Sequence, residues 1–229
     1  MEAVNTLMLP GLDGTDHLLT HFHRAAPDNY RMSILTLPDD PTASYDDLCD
    51  HFGDVVAATR PCTLIGESFS GPLAILLAHR YPESVRHLVL VATFVTCPIT
   101  PWSKLVPWSL AFRIRMPIAL IRAIIVGQHE RLAQSVQQAV QVQSPRTLAR
   151  RLRCVLNVDV RQPLRELQCR ITCIRATEDH LVTKPNADAI AQLNPRVMSR
   201  QIEGPHLILQ ARPQQAWQQI VETSPAKGC

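Results

Sequence analysis

The sequence predicts an α/β fold in which helices cover both faces of a mostly parallel sheet of about six strands. Short runs rich in β-branched residues alternate along the chain with longer segments whose apolar residues recur at helical spacing. This alternation is typical of parallel sheets, because a helix must join each strand to the next. The chain has 229 residues, of which 46% are hydrophobic and 19% charged. It can therefore bury one continuous core, and we expect residues 1–229 to form a single domain.

The predicted elements follow one another from the N-terminus. Strands are expected at Val4–Leu9, Met32–Leu37, Thr63–Ile65, Val85–Ala92, Ile171–Ala176 and Val197–Ile202. Helices are expected at Ser44–Thr59, Ser70–Arg80, Pro185–Leu193 and around Gln214–Glu222. Ser44 can cap the first of these helices, and Asp46 and Asp47 stand in its first turn, where the helix dipole favours carboxylates.

Residues 96–165 interrupt the alternation and are predicted to form an inserted helical cap. Between residues 100 and 155 the chain carries nine basic residues against one acid, Glu130. One interpretation is that an acidic carrier protein or an anionic acyl substrate docks on the Arg146–Arg153 face. The other is a solvated helix face. Large apolar side chains of the segment are candidates to line a substrate pocket or to form the core of the cap: Trp102, Leu105, Trp108, Phe112 and Ile114.

Several features predict a cytoplasmic protein without a cofactor. The seven cysteines are an odd number, and several fall in predicted strands or helices, so we expect free thiols in a reducing compartment. The N-terminus lacks the pattern of a signal peptide, and the most apolar stretch, residues 105–127, contains arginines and prolines that make it a poor bilayer span. Cys169 and Cys173 have no second Cys/His pair nearby, so no metal site is expected. No nucleic-acid partner is predicted.

Ser68 lies between a predicted buried strand and a predicted helix, in the sequence Gly66-Glu-Ser-Phe-Ser-Gly71. Small residues two positions before and after the serine allow a tight strand-to-helix turn that presents the hydroxyl above the sheet. The usual pattern has glycine at the second flank, where this chain has Ser70, followed by Gly71. A helix-capping serine is the alternative interpretation. The pattern predicts that Ser68 is a nucleophile.

Partners for such a serine follow two later strands, in the order acid and then base. The loop after the strand that ends at Ala176 carries Glu178 and Asp179. The loop after the last strand holds His206 between Pro205 and an apolar run. A histidine in such a loop could instead satisfy a backbone carbonyl, but the three residue types together predict nucleophilic catalysis, with His206 as the base.

A glycine-rich turn, Pro10-Gly-Leu-Asp-Gly-Thr15, follows the first strand. Acyl transfer needs two amide donors aimed at the developing oxyanion, and this turn can bring one of them over the serine. We assign the amides of Leu12 and Phe69 to this oxyanion hole. A phosphate-binding loop is the alternative, but the turn contains neither a suitable lysine nor a G-x-G-x-x-G pattern.

Together these elements resemble the α/β-hydrolase superfamily, and specifically its small bacterial carboxylesterase-like hydrolases. The resemblance covers nearly the whole chain, is weakest in the cap, and implies six of the family's usual eight strands. It also implies that Asp179, rather than Glu178, orients the histidine, because the position just before His180-Leu-Val matches the family pattern. The run Asp159–Leu164 is similar to the corresponding segment of the pimeloyl-carrier-protein methyl ester esterases.

The predicted function is hydrolysis of carboxylic esters through an acyl-enzyme on Ser68, with His206 as base and Asp179 as orienting acid. Alternatives on the same scaffold are an acyltransferase or an esterase for carrier-linked acyl groups. A non-catalytic ligand-binding protein of this fold is a further alternative, and the complete set of three groups argues against it.

Overall fold

The computed structural model describes residues 3–98, 108–114 and 116–224. The strands are β1 (Val4–Leu9), β2 (Tyr30–Ile34), β3 (Cys62–Glu67), β4 (Val85–Val91), β5 (Arg170–Ala176) and β6 (Val197–Ile202). Within this part of the chain they form one sheet in the order β2-β1-β3-β4-β5-β6, and all neighbouring pairs are parallel. The predicted fold class is confirmed. Because all strands run in one direction, the loops at their carboxyl ends meet at one edge of the sheet.

Helices join the strands and cover the sheet. The α-helices are α1 (Thr20–Arg24), α2 (Tyr45–Ala58), α3 (Ser70–Arg80), α4 (Trp108–Ala111), α5 (Ile118–Ile121), α6 (Glu130–Val142), α7 (Pro145–Asn157), α8 (Arg161–Glu166), α9 (Lys184–Leu193), α10 (Ile208–Ala211) and α11 (Pro213–Thr223). A 3-10 turn, His17–Leu19, precedes α1, and a π-helical turn, Arg122–Val126, follows α5. Helix α2 begins as predicted, because Ser44 and Asp47 form a reciprocal capping box.

Successive residues of each strand point to opposite faces of the sheet and bury two separate cores. On β1, Leu7 and Leu9 pack into the core that includes α2, α3 and α8, whereas Met8 packs into the core that includes α1 and α11. In the second core, Trp217 stacks on Phe22 with ring centroids 4.9 Å apart and donates its indole N–H to the Phe22 carbonyl at 2.8 Å. Helices therefore cover the sheet on both faces.

Between β4 and β5 the chain forms helices α4 to α8. Apolar side chains of this segment, among them Ile121, Val126 and Val136, form a third core with Leu18 and Leu207. The segment therefore packs over loops that follow β1 and β6, on the carboxyl edge of the sheet. Among the described residues, no helix has both the length and the apolar character needed to span a bilayer.

The second strand differs from its prediction, which placed it at Met32–Leu37. The structure has β2 at Tyr30–Ile34, because a turn in which Tyr30 N–H donates to the Pro27 carbonyl starts it earlier. Leu37 no longer pairs with the sheet; its N–H donates to the Gly14 carbonyl at 2.8 Å, in the loop after β1. The apolar run up to Leu37 is therefore buried by a loop contact rather than by strand pairing.

Candidate functional site

Ser68 stands in the turn between β3 and α3 with a positive φ of 50°, a conformation that costs free energy for a residue other than glycine. The turn is tight at Gly66, where an added Cβ would lie 2.6 Å from the Ser70 carbonyl oxygen and 2.7 Å from the Ala74 Cβ. Only glycine, which has no side chain, therefore fits at this position. The backbone has the geometry of the nucleophile elbow that the sequence predicted.

The departure from the usual pattern at Ser70 has a structural reason that the sequence did not reveal. Ser70 is fully buried, and its hydroxyl donates to the carbonyl of Pro10 in the loop after β1. The close approach falls one residue later, at Gly71, where a Cβ would collide with the Thr93 side chain. Thr93 in turn donates its hydroxyl to the Ser68 carbonyl at 2.6 Å. Ser70 and Thr93 thus fix the elbow from two sides.

His206 joins Ser68 to Asp179 at the carboxyl edge of the sheet. Its Nε2 lies 2.9 Å from the Ser68 Oγ, and its Nδ1 lies 2.7 Å from the Asp179 Oδ2. The side chains of His206 and Asp179 are 4% and 1% exposed, so water scarcely reaches the contact between them. The structure therefore brings together the three residues that the sequence selected as nucleophile, base and acid.

Asp179, and not Glu178, faces the histidine. The Asp179 Oδ1 accepts the backbone N–H groups of Leu181 and Val182, each at 2.8 Å, which leaves Oδ2 for His206. Glu178 is exposed, and its backbone N–H donates to the Gly204 carbonyl at 2.9 Å. The two amides orient the carboxylate before the histidine binds it, because they occupy the lone pairs of the other oxygen.

Leu12 and Phe69, the residues predicted to supply the oxyanion-hole amides, border the same space. Both residues line the cavity that contains Ser68 and His206. No hydrogen bond recorded among the described residues uses the backbone N–H of either residue. The Ser68 carbonyl, in the same peptide as the Phe69 N–H, accepts the Thr93 hydroxyl at 2.6 Å, and the Phe69 ring stacks on Tyr45 at 5.0 Å. An oxyanion hole requires two free amide donors near the nucleophile, and both residues predicted to supply them line the same cavity as Ser68.

A buried carboxyl group lies directly behind the nucleophile. Glu67 is 1% exposed, and burial raises its pKa from 4.5 to about 7, against the opposing effects of a hydrogen bond from Gln210 and the nearby His206. Gln210 Nε2 donates to Glu67 Oε2 at 3.0 Å. Sequence reasoning passed over Glu67, because a variable position inside a motif carries no signal of its own.

A cavity of about 190 Å³ has Ser68 and His206 in its wall. Apart from these two residues and the Gly11–Asp13 turn, every described lining residue is apolar. An apolar cavity of about 150 Å³ can hold benzene, so this one accepts a somewhat larger apolar group. Much of the wall comes from the segment between β4 and β5, through Pro98, Ile125, Val136, Val140, Leu152 and Val155.

Of the substrate-lining residues expected from the sequence, those that the structure describes do not line this cavity. Trp102 and Leu105 lie outside the described residues. Trp108 and Phe112 pack with their ring centroids 6.2 Å apart and do not belong to the cavity lining. Ile114 is 70% exposed. The sequence pointed to these aromatic residues by their size, whereas α6 and α7 contribute aliphatic side chains, Val136, Val140, Leu152 and Val155, to the wall.

The basic Arg146–Arg153 face is only partly a surface. Arg146 and Arg153 are exposed, and Arg150 donates to the Ala43 carbonyl at 3.0 Å. Arg151 is buried, with 3% of its surface exposed, and is bonded to backbone carbonyls. Arg151 is therefore unavailable to a docking partner, contrary to the charge-based expectation.

Other candidate groups are placed away from this chemistry. Among the described residues, no set of three His, Cys, Asp or Glu side chains is arranged to hold a metal ion. Cys49, Cys62 and Cys173 are buried free thiols, and burial raises their pKa values to about 12, 11 and 12 respectively. They are poor nucleophiles, because the reactive form is the thiolate.

Comparison with known proteins supports the fold. A sequence model of the alpha/beta hydrolase family matches residues 7–218. The chain is 30% identical over 132 residues to phytyl ester synthase 1 of Arabidopsis thaliana chloroplasts, and 26% identical over 161 residues to a candidate carbamate hydrolase, RutD, of Yersinia enterocolitica. These alignments cover 52% and 65% of this chain, but only 19% and 58% of those relatives.

A thermophilic esterase from Thermogutta terrifontis has a similar structure, with a TM-score of 0.82 and 18% sequence identity over 96% of this chain and 89% of the esterase. At this identity the likeness concerns the fold alone. The family match covers far more than half of the sequence, and the parallel sheet carries Ser68, Asp179 and His206 on loops after β3, β5 and β6. The chain therefore belongs to the alpha/beta hydrolase family.

Proposed function

We propose that this protein is a serine hydrolase that cleaves carboxylic esters through an acyl-enzyme on Ser68. The observation that carries the proposal is the hydrogen-bonded chain from Ser68 Oγ through both ring nitrogens of His206 to Asp179. A serine hydroxyl is a weak nucleophile unless an adjacent base removes its proton, and a buried carboxylate holds that base in the useful tautomer.

The hydrogen bonds support one assignment of the protons. Asp179 already accepts two amide N–H groups and can only accept from the ring when ionised, so His206 Nδ1 carries a hydrogen. The neutral ring then has a lone pair on Nε2, which accepts the Ser68 hydroxyl. The serine is therefore poised to lose its proton to the histidine.

The reaction follows from this arrangement. Ser68 Oγ bonds to the ester carbonyl carbon as its proton passes to His206 Nε2, and the carbonyl oxygen becomes an oxyanion held by the Leu12 and Phe69 amides. The intermediate expels the alcohol, which takes the proton from His206. Water then attacks the acyl-enzyme with His206 again as base, releasing the acid and restoring Ser68. No cofactor takes part in these steps.

We assign residues 96–165 to a helical cap over the site within a single domain, since α6 and α7 supply several cavity-lining residues. The apolar lining suits an uncharged acyl or alcohol group, because an unpaired charge there would lose its hydration without compensation. This argues against an anionic acyl substrate. Docking of an acidic carrier protein would depend on the exposed Arg146 and Arg153. The buried free thiols support the proposed cytoplasmic location.

Acyl transfer to an alcohol is a second candidate, favoured by the partial similarity to a phytyl ester synthase and by the apolar cavity. An acyl-enzyme partitions between water and any alcohol that reaches it. Assays with added long-chain alcohols separate the two functions: transfer predicts ester formation faster than release of the free acid, and hydrolysis predicts the reverse.

Labelling with a fluorophosphonate probe tests the proposal. Wild type should be labelled, Ser68→Ala should not, and Ser33→Ala, a change at an exposed serine of β2, should label as wild type. A panel of p-nitrophenyl esters from acetate to laurate then reports turnover and acyl preference. Folded wild type that neither labels nor turns over would identify a non-catalytic ligand-binding protein and refute the proposal.

A further inference from the structure

Arg151 lies within α7, in the helical segment between β4 and β5, yet its side chain reaches the loop that follows β1. It is 3% exposed. Burial of a guanidinium is costly unless its donors are satisfied, and burial lowers its pKa, although Asp13 and Asp39 oppose that shift. Among the described residues, no carboxylate forms a close ion pair with Arg151, so its N–H groups need other acceptors.

The guanidinium is satisfied by backbone carbonyls of two loops. Nη1 donates to the Leu12 and Asp13 carbonyls at 2.8 and 2.9 Å. Nη2 donates to the Pro38 carbonyl at 3.0 Å, with a longer contact of 3.4 Å to Leu37. One side chain thus links α7 to the turn after β1 and to the chain that leaves β2.

These contacts fix the peptides around the Leu12 N–H. The Pro10 carbonyl accepts the Ser70 hydroxyl, the Gly11 carbonyl accepts the Gly14 N–H at 3.0 Å, and the Leu12 carbonyl accepts Arg151. The Leu12 N–H belongs to the peptide between Gly11 and Leu12, so it lies between carbonyls that are all engaged. Without Arg151, the Leu12 and Asp13 carbonyls would lose these hydrogen bonds to α7.

Gly14 leaves the space in which the Arg151 guanidinium packs against the turn. Its φ is +74°, and an added Cβ would collide with the guanidinium nitrogens of Arg151. Glycine is therefore required at this position both by the backbone conformation and by the space that the arginine occupies. The Asp13 carboxylate accepts the Thr15 N–H at 3.0 Å and so tightens the same turn.

We propose that Arg151 is a positioning residue that holds the Leu12 amide in the orientation needed to bind the oxyanion; this inference rests on the proposed serine hydrolase function. Arg151 touches no reacting atom. It acts through the turn after β1 and connects the helical segment to the chemistry, so displacement of α7 would weaken catalysis without altering Ser68, His206 or Asp179.

The test compares Arg151→Met, which keeps the length but removes every donor, with Arg151→Lys, which keeps the charge without the planar fork. Arg153→Met is the matched control, since Arg153 is exposed on the same helix and a p-nitrophenyl ester carries no carrier protein that could dock on it. For each variant we would measure kcat and KM for a p-nitrophenyl ester. We would also measure the inhibition constants of a trifluoromethyl ketone, which forms a tetrahedral adduct, and of the corresponding methyl ketone, which mimics the ground state.

Loss of one oxyanion donor typically lowers kcat by about 10²- to 10³-fold. We expect Arg151→Met to lower kcat by between about 10- and 100-fold with KM nearly unchanged. The inhibition constant of the trifluoromethyl ketone should rise by a similar factor, whereas that of the methyl ketone should not change. Arg151→Lys should lie between wild type and Met, and Arg153→Met should resemble wild type. The inference would be overturned if folded Arg151→Met kept the wild-type kcat, or if the inhibition constants of both ketones rose equally.

Two results separate this inference from the proposed function. Fluorophosphonate labelling of wild type is measured first: no labelling overturns both, whereas normal labelling with unchanged kinetics of the Arg151 variants overturns the inference alone. If Arg151→Met does not fold, Arg151→Lys carries the test by the same ketone comparison. Partial restoration of kcat in Arg151→Ala by millimolar guanidinium, with no effect on Arg153→Ala, would support the positioning role.

Discussion

Gln210, in α10, donates its side-chain amide to Glu67, the residue before the proposed nucleophile, at 3.0 Å. The other carboxyl oxygen of Glu67 is buried without a hydrogen-bond partner among the described residues. A carboxylate with one unsatisfied oxygen is costly to bury, so this environment favours the protonated acid. The consequence is a pH-dependent stability.

Glu67 should make the protein less stable as the pH rises through the acid-to-neutral range. Its pKa in the folded state is about 7, raised by burial from 4.5. Between these values the unfolded chain has released the proton and the folded chain retains it, so the free energy of unfolding falls as pH rises and levels off above the folded pKa. The linkage amounts to at most about 3 kcal/mol. Urea unfolding at a series of pH values measures it.

Glu67→Gln is the matching variant, because it preserves the shape and removes the titration. Its unfolding free energy should depend less on pH in this window, and it should be more stable than wild type above the folded pKa. Glu178→Gln, at an exposed carboxylate, should retain the wild-type profile. Identical pH profiles for wild type and Glu67→Gln would show that Glu67 does not titrate with folding.

Asp179→Asn should abolish most activity without unfolding the protein. The amide could present an N–H instead of an acceptor to His206 Nδ1, so the ring would hold its hydrogen on Nε2 and could no longer accept the Ser68 proton. For a triad of this kind kcat falls by about 10⁴-fold. Steady-state kinetics with a p-nitrophenyl ester give the value. The control is Glu178→Gln, which should retain activity; the opposite pattern would assign the orienting role to Glu178.

Ser70→Ala should destabilise the protein and slow catalysis together. The change leaves the Pro10 carbonyl without the Ser70 hydroxyl in a buried place, and an unsatisfied buried acceptor costs about 1–3 kcal/mol. It also frees the turn that carries the Leu12 amide, so kcat should fall more than KM rises. Thermal and urea unfolding measure the stability, and kinetics with a p-nitrophenyl ester measure kcat and KM. Ser33→Ala, at an exposed position of β2, should change stability by less than about 0.5 kcal/mol.

The aliphatic cavity should select acyl groups by length. Each methylene buried contributes about 0.8 kcal/mol, or about a fourfold increase in kcat/KM, until the cavity is full. Val136→Phe fills part of the cavity from α6. In this variant kcat/KM should therefore stop rising at a shorter acyl chain than in wild type, with turnover of the acetate ester little changed. Val142→Phe is the control, because Val142 lies on the same helix but is 59% exposed. Equal chain-length profiles for wild type and Val136→Phe would place the acyl group elsewhere.

Local pattern was sufficient for much of this molecule. Val4–Leu9 and Val197–Ile202 are strands with the predicted bounds, and Ser70–Arg80 is a helix with the predicted bounds. The turn around Ser68 was predictable because the absence of a side chain at Gly66 is a local steric requirement. The order of Ser68, Asp179 and His206 after parallel strands predicted their meeting, since parallel strands end at one edge.

Contacts between distant segments were decided only by the tertiary structure. Arg151 was interpreted from the sequence as a surface charge, yet it is buried against carbonyls of residues more than a hundred positions away. Ser70 lies in a familiar motif, but its partner, Pro10, belongs to another strand's loop. Among the described residues, the cavity wall includes Val136 and Leu152 but neither Trp108 nor Phe112, because helix orientation determines which side chains face the site. The sequence determines strand direction and turn geometry through local sterics and periodicity, whereas these partners depend on how the segment after β4 packs back onto the loops.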